Sequence, residues 1–336
     1  MENLKQKTVS GIMWSAIERF SLQGVQFIIQ IILARLLLPS DYGMIGMLAI
    51  FLQVAQVFID SGFTNALIQK KDRTEEDFAT VFYFKKSLDS ILYQTLLPAE
   101  VVLVKDGILT DDLNCIVKEY SQKYPILKVI SLPVNQGLGK ALNEGLKHCS
   151  YDLVARMDTD DIAKPDRFEK QIRVFQEHPE LDVVGAWIDE FEETTSNIIS
   201  TRKLPEVHDD ICQFAKKRNP ENHPVIMFRK QAVLAAGGYQ HFPLFEDYYL
   251  WIRMLQNGAK FYNIQESLLY FRFSPAMFKR RGGLKYVTTE LRFQNQLRNL
   301  EFITSSEYLY NVFIRVITRM MPNTLRAILY KKALRK

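Results

Sequence analysis

Cysteine is scarce in this chain. Cys115, Cys149 and Cys212 are the only three in 336 residues, and their odd number and wide spacing exclude a disulfide framework or a thiolate metal site. A reduced, cytosolic setting is the simplest reading for the part that carries them. No nucleic-acid motif accompanies the modest net charge of +5, so nucleic acid is not the expected partner. Acidic residues are missing from Tyr308 to Lys336, where Arg315, Arg319, Arg326, Lys331, Lys332, Arg335 and Lys336 gather. Such a tail suits an anionic surface. Charge of either sign is missing from Phe20 to Ala34 and again from Tyr42 to Ile59.

What is present is a globular composition, 47% hydrophobic and 24% charged, with length for roughly two domains. The second uncharged stretch is long enough to span a bilayer; the first is so only if Arg35 snorkels or faces protein. Pro39, Ser40 and Asp41 make a turn between them, with Ser40 or Asp41 capping the second helix. The expectation is an N-terminal transmembrane helical hairpin. Glu18, Arg19 and the lack of a small-residue cleavage site argue against a signal peptide. A soluble hairpin is the alternative, favoured by Gln23, Gln26 and Gln30. Lys5 and Lys7 before the hairpin, and Lys70, Lys71 and Arg73 after it, put both ends on the cytoplasmic side.

LARLLLPSDYGMIGML (Leu33 to Leu48) and FIDSGFTNALIQKKDRTEEDFATVFYF (Phe58 to Phe84) resemble the start of a polysaccharide or oligosaccharide-lipid flippase of the multidrug/oligosaccharidyl-lipid/polysaccharide exporter superfamily. The pattern stops at Phe84, and two helices make no transport pathway. FATVFYF (Phe78 to Phe84) has strand-like composition.

From Lys86 the periodicity changes. Leu88, Ile91 and Leu92 fall at helical spacing, VVLVKDG (Val101 to Gly107) reads as a buried parallel strand, and Asp111 to Tyr120 as a helix. Leu127 to Leu132 and Leu153 to Met157 read as strands around a helix from Gly139 to His148. This alternation implies an α/β fold with a mostly parallel sheet and helices on both faces. Ligands bind at the carboxyl ends of such strands, where Lys105-Asp106-Gly107 and the Asp158 cluster lie.

Asp158, Asp160 and Asp161 crowd the end of a strand, with Pro165 expected to open the next helix. Three carboxylates this close need a cation or basic groups, and Mg²⁺ or Mn²⁺ takes one or two carboxylates plus phosphate oxygens. A solvated acidic turn or a helix cap is the plainer reading. In FEDYYLWIRML (Phe245 to Leu255), Tyr248, Trp251 and Leu255 keep helical spacing, so Glu246 and Asp247 occupy the first turn. Acids are favoured there by the helix dipole alone.

From about Lys86 the chain resembles a family 2 glycosyltransferase of the polysaccharide-biosynthesis type. The residues that carry the likeness are Asp158-Thr159-Asp160-Asp161 with Pro165, the run VNQGLGKALNEGL (Val134 to Leu146), the Glu246-Asp247 pair, and Tyr270 with Arg272. The resemblance implies a GT-A fold and sugar transfer from a nucleotide-sugar donor. By carry-over, Asp160 and Asp161 hold the metal. Asp106, Asn135, Gly137, Lys140, Asn143, Asp158, Asp160 and Arg272 bind the nucleotide sugar. Asp247, with Glu246 beside it, is the general base, which implies a single displacement with inversion. His223 is either a substrate contact or a structural histidine. The implied acceptor is a saccharide or a lipid-linked intermediate, at a bacterial-type inner membrane.

The divisions expected are residues 1–84, 85–300 and 301–336. The last part, amphipathic and broken at Pro322, reads as interfacial helices on lipid, with a core-covering helix as the alternative. Relatives begin with a strand of the type S-V-L-M-S-V-Y and a loop, which this chain lacks; FATVFYF is the candidate substitute strand. A catalytically inactive fusion product is therefore the second functional reading.

Overall fold

The computed structural model describes residues 75–273 and 284–320. The expected hairpin lies outside them, as does the basic tail beyond Met320. Among the described residues no helix is long and apolar enough to cross a membrane.

The first element is helix α1, Glu75–Leu92. It runs unbroken through FATVFYF and the expected boundary at 84/85, which corrects the substitute-strand reading. Val81, Phe84, Leu88 and Leu92 recur at three- and four-residue intervals and are all buried. That spacing makes one helical face, and its burial outweighs the strand propensity of the individual residues.

Strand β1 (Val101–Asp106) pairs in parallel with β2 (Leu127–Leu132), across helix α2 (Asp111–Lys123). Thr110 caps α2 through a hydrogen bond from the Leu113 amide. Helix α3 (Leu138–His148) covers this pair and leads to β3 (Leu153–Ala155). Here the expected parallel sheet ends. β1 and β2 form a two-stranded sheet of their own, while β3 is the edge of a separate six-stranded sheet.

The second sheet also contains β4 (Ile162–Ala163), β5 (Val183–Phe191), β6 (Ile198–Arg202), β7 (Met227–Arg229) and β8 (Phe261–Arg272). Its path is β3-β7-β5-β8-β4, with β6 on the far half of β5. Only β5 and β8 are parallel; the other pairs are antiparallel. The sheet is mixed, which corrects the mostly parallel expectation. Parallel pairing requires a long crossover, and β5 turns straight into β6 through a short hairpin instead.

β5 is the central strand and carries side chains buried on both faces. At Gly185 a Cβ would stand 2.1 Å from both Asn263 Oδ1 and Glu221 Oε2, so no larger residue fits. Helix α4 (Arg167–Glu177) packs Phe168 and Phe175 against Val184 and Met227. It begins at the Asp166 cap, so Pro165 lies just outside the helix instead of opening it. On the other side stand α5 (His208–Ala215), α6 (Lys230–Ala235) and α7 (Glu246–Gln256), whose Val233, Leu250, Trp251 and Met254 meet Val183 and Phe261.

Helices α8 (Leu284–Asn299) and α9 (Ser305–Met320) close the far end. The core-covering reading holds for the inner face of α9: Asn311 is buried and bonded to Gln294, and Arg315 pairs with Glu290. Its outer face leaves Leu309, Tyr310, Phe313 and Ile314 exposed.

Among the described residues no strand joins the two sheets, and α1 reaches across to the larger one. Ser87 Oγ donates to the Asp158 carbonyl at 3.2 Å and Ser90 Oγ accepts from Ala163 N. Gln94 bonds both Lys164 O and Phe168 N. On its other side, Asp89 accepts from Tyr120 of α2 at 2.6 Å.

Candidate active site

Two cavities flank the carboxyl end of β1 and share Leu103, Val104 and Thr159 in their walls. The larger, about 710 Å³, includes Asp106, Asn135, Gly137, Asp158 and Tyr239. The smaller, about 390 Å³, is bounded by Thr80, Phe84, Lys105, Asp160 and Arg272.

Asp106 accepts hydrogen bonds from the Gln136 and Gly137 amides at 2.7 and 2.9 Å. It thereby folds the loop before α3 back over the end of β1. That closure brings Gly107, at φ 98°, so near Asn135 N that a Cβ would lie 2.9 Å away. Glycine is required on both counts. Asn143 faces away from the cavities: its amide bonds the Tyr239 carbonyl at 2.7 Å and accepts from the Tyr239 amide at 2.8 Å. Lys140 is exposed and lines neither cavity.

The acidic turn follows β3. Arg156 forks onto both oxygens of Asp158. Asp161 is fully buried; its Oδ1 accepts from Arg272 N at 2.9 Å and its Oδ2 has no hydrogen-bond partner. Burial, then the charges of Asp158 and Asp160, hold its carboxyl well above the usual range. Asp160 reaches solvent, yet the surrounding protein and then Asp158 raise it too. Arg272 lays its guanidinium over the Tyr83 ring, 4.1 Å from the centroid, a cation–π contact supplied by α1.

Among the described residues no cluster of three or more His, Cys, Asp or Glu side chains is arranged to hold a metal by itself. The chemistry of the acidic turn nonetheless fits a hard divalent ion: an orphaned buried carboxylate oxygen beside an exposed acid, with pKa values raised by burial and then by mutual repulsion. Mg²⁺ and Mn²⁺ need few protein ligands when phosphate oxygens complete the shell.

Glu246 and Asp247 occupy the first turn of α7. Asn219 donates to Asp247 Oδ2 at 2.7 Å. Burial, and less strongly Asp247, raise the Glu246 carboxyl. The buried Tyr239 phenol is raised by its burial first, and it feels the charges of Arg156, Asp247 and Asp158 as well. The hydroxyl bonds His223 Nε2 at 2.9 Å. His223 packs edge-on to Trp251, and burial, then Arg156, hold its pKa well below the usual value. Buried, it holds the Tyr239 hydroxyl.

The structure thus gathers Asp106, Asn135, Gly137, Asp158, Asp160 and Arg272 around adjoining cavities, with Glu246 and Asp247 beyond Tyr239. Tyr239, Arg156, Asn219 and Tyr83 escaped the sequence reading. Tyr83 lay within FATVFYF, but no spacing rule marks it out.

The family model "Glycosyl transferase family 2" matches residues 83–236. An uncharacterized glycosyltransferase of Haemophilus influenzae is 41% identical over 254 residues, 76% of this chain and 94% of that protein. The chain belongs to glycosyltransferase family 2. This glycosyltransferase is also 35% identical to an Escherichia coli UDP-Gal:alpha-D-GlcNAc-diphosphoundecaprenol beta-1,3-galactosyltransferase, over 76% of the chain and 92% of the relative. It is 39% identical to the amylovoran biosynthesis glycosyltransferase AmsE of Erwinia amylovora, over 74% and 92%. A second model, "Polysaccharide biosynthesis protein", matches residues 32–105, which suggests the flippase-like start only weakly. The structure of Staphylococcus aureus TarS 1-349 superposes with a TM-score of 0.52 at 18% identity, covering 76% of this chain and 73% of that one. The glycosyltransferase therefore has a GT-A-like α/β fold.

Proposed function

We propose that this glycosyltransferase moves a sugar from a nucleotide-sugar donor to a lipid-linked or saccharide acceptor, with inversion, on the cytoplasmic side of a bacterial-type inner membrane. One observation carries the reading: the buried Tyr239 phenol, which lines the larger cavity together with Asp158, is within electrostatic reach of both acidic turns, through Asp158 and through Asp247. One set suits the leaving group and the other the attacking hydroxyl.

The nucleoside diphosphate end of the donor would lie in the cavities beside Asp106, Asp160 and Arg272. Arg272, already oriented by Tyr83, offers planar donors to phosphate. Asp160 and Asp161 would hold Mg²⁺ or Mn²⁺, which offsets charge on the departing diphosphate when bound. Asp247, held by Asn219, takes the proton from the acceptor hydroxyl as that oxygen attacks the anomeric carbon. No second nucleophile is invoked, so the configuration inverts. The diphosphoundecaprenol acceptor named for the galactosyltransferase relative supports a lipid-diphosphate acceptor. The exposed apolar side of α9, ahead of the basic tail, supports contact with anionic lipid. The hairpin within 1–84 would add a second anchor, the domain over 85–300 the chemistry, and 301–336 the lipid contact.

A fusion product that no longer binds donor is the second reading, favoured by the gap between the two sheets. Calorimetric titration of the detergent-solubilised chain with UDP and GDP, with and without Mn²⁺, separates them. Metal-dependent binding supports the enzyme; a folded chain that binds neither supports the inactive product.

A further inference from the structure

Helix α3 touches both halves of the candidate site. The loop before it is folded by Asp106, which accepts from the Gln136 and Gly137 amides. Gly139, at the second helical position, lies against the other half. A Cβ there would stand 3.6 Å from both Glu246 Cγ and Tyr239 Cβ. Its φ is outside the left-handed region, so glycine serves close approach here and not conformation. Asn143 follows four residues on, on the same face of the helix. Its side chain donates to the Tyr239 carbonyl at 2.7 Å and accepts from the Tyr239 amide at 2.8 Å. Gly145 packs on β1 instead, where a Cβ would be 3.0 Å from Val104 Cγ2.

The turn that Asn143 holds has little slack. Gly237 and Gly238 are both left-handed, at φ 79° and 63°. A Cβ on Gly238 would lie 2.7 Å from Asn143 Oδ1. Arg253 of α7 donates to the Gly238 carbonyl at 2.7 Å and to the Ala236 carbonyl as well. This turn sets Tyr239 in the wall of the larger cavity, and the chain runs on from it to Glu246 and Asp247. A nucleotide ligand would aim its amide at a cavity. Asn143 lines neither one, and both ends of its amide are engaged by backbone.

We propose that Asn143 is a positioning residue for the acceptor half of the reaction. With Gly139 it seats Tyr239 and the Glu246-Asp247 turn against α3, whose start is tied to Asp106 on the nucleotide side. Asn143 acts through these groups and does not touch the nucleotide. The proposal rests on the reading of Glu246-Asp247 as the acceptor turn. Misplacing a reacting group by about 1 Å costs on the order of 10²-fold in rate, so loosening this seat is measurable.

The test compares two variants of the full solubilised chain. Asn143→Ala removes both bonds, and Gly139→Leu extends past the close contact toward Glu246 and Tyr239. Gly139→Ala is the control, because its Cβ makes only ordinary contact. At saturating donor, Asn143→Ala and Gly139→Leu should each lower acceptor kcat/KM about tenfold or more, with UDP or GDP affinity in Mn²⁺ unchanged. Gly139→Ala should match the wild type. Loss of nucleotide affinity with acceptor kinetics intact, or wild-type kinetics in both variants, would overturn the proposal. Amide hydrogen exchange decides without activity. In Asn143→Ala, exchange from Tyr239 to Asp247 should quicken about tenfold while β5 stays protected. Unchanged exchange there would overturn the positioning role whether or not the chain transfers sugar, so its failure is separate from that of the proposed enzyme.

Discussion

The backbone amide of Arg272, at the end of β8, donates to Asp161 Oδ1 at 2.9 Å. This bond ties the longest strand of the sheet to the acidic turn that leads into β4, its ladder neighbour. It fixes the buried acid and aims the Arg272 side chain across Tyr83 in the same stroke.

Tyr83 should therefore influence donor binding without touching the reaction. Tyr83→Ala is expected to raise the donor KM several-fold, because the stacked cation is worth about 0.5–2 kcal/mol. Tyr83→Phe should retain the wild-type KM. Arg272→Lys should lose more than Tyr83→Ala, since a lysine offers no planar fork. Steady-state kinetics over a donor series decides the ranking, and a Tyr83→Ala enzyme with unchanged KM would refute it.

Asp247→Asn should lower kcat by roughly 10²–10⁴, the usual worth of a general base, while calorimetric nucleotide affinity stays put. Asn219→Ala should lower kcat less, because it loosens the carboxylate without removing it. A loss confined to nucleotide affinity would place Asp247 on the donor instead.

Glu221 is fully buried, and its carboxylate stands against the Asn263 side chain. Burial raises its pKa well above the usual carboxylate value. The native state then holds a proton that the unfolded chain releases above its ordinary pKa of about 4.3. Stability consequently falls as pH rises from that value toward the folded pKa. Glu221→Gln should raise Tm at pH 8 and leave it nearly unchanged at pH 4; a Tm difference independent of pH would contradict the assignment.

Leu309 and Phe313 are 66% and 64% exposed on α9. Leu309→Glu with Phe313→Glu should leave Tm within about 1 °C, as surface changes usually do. The same pair should reduce sedimentation with vesicles containing anionic lipid. Unaltered vesicle binding would move the contact elsewhere.

How much of this was legible beforehand follows from the range of each interaction. β2 at Leu127–Leu132 and the start of α7 at Glu246 lie where local periodicity put them. The crowded aspartates were visible because they are neighbours in sequence. FATVFYF misled, since composition favours a strand while the interval between Val81, Phe84 and Leu88 favours a helix; the interval won once α1 had two sheets to pack on. Strand direction beyond Asp158 was hidden because pairing is non-local. Tyr239 was hidden for the same reason: Asn143, which holds it, is 96 residues away in sequence.

The bridging of two sheets by one helix has a mechanical consequence. In a continuous sheet, load passes through repeated backbone ladders that resist shear. Here it passes through side-chain bonds: Ser87, Ser90 and Gln94 in and just after α1 reach the larger sheet, Asp89 reaches α2, and Asn143 of α3 holds Tyr239. The β1–β2 layer is thus tied to the larger sheet by side chains, with no backbone ladder between them among the described residues, beside the two cavities at the carboxyl end of β1.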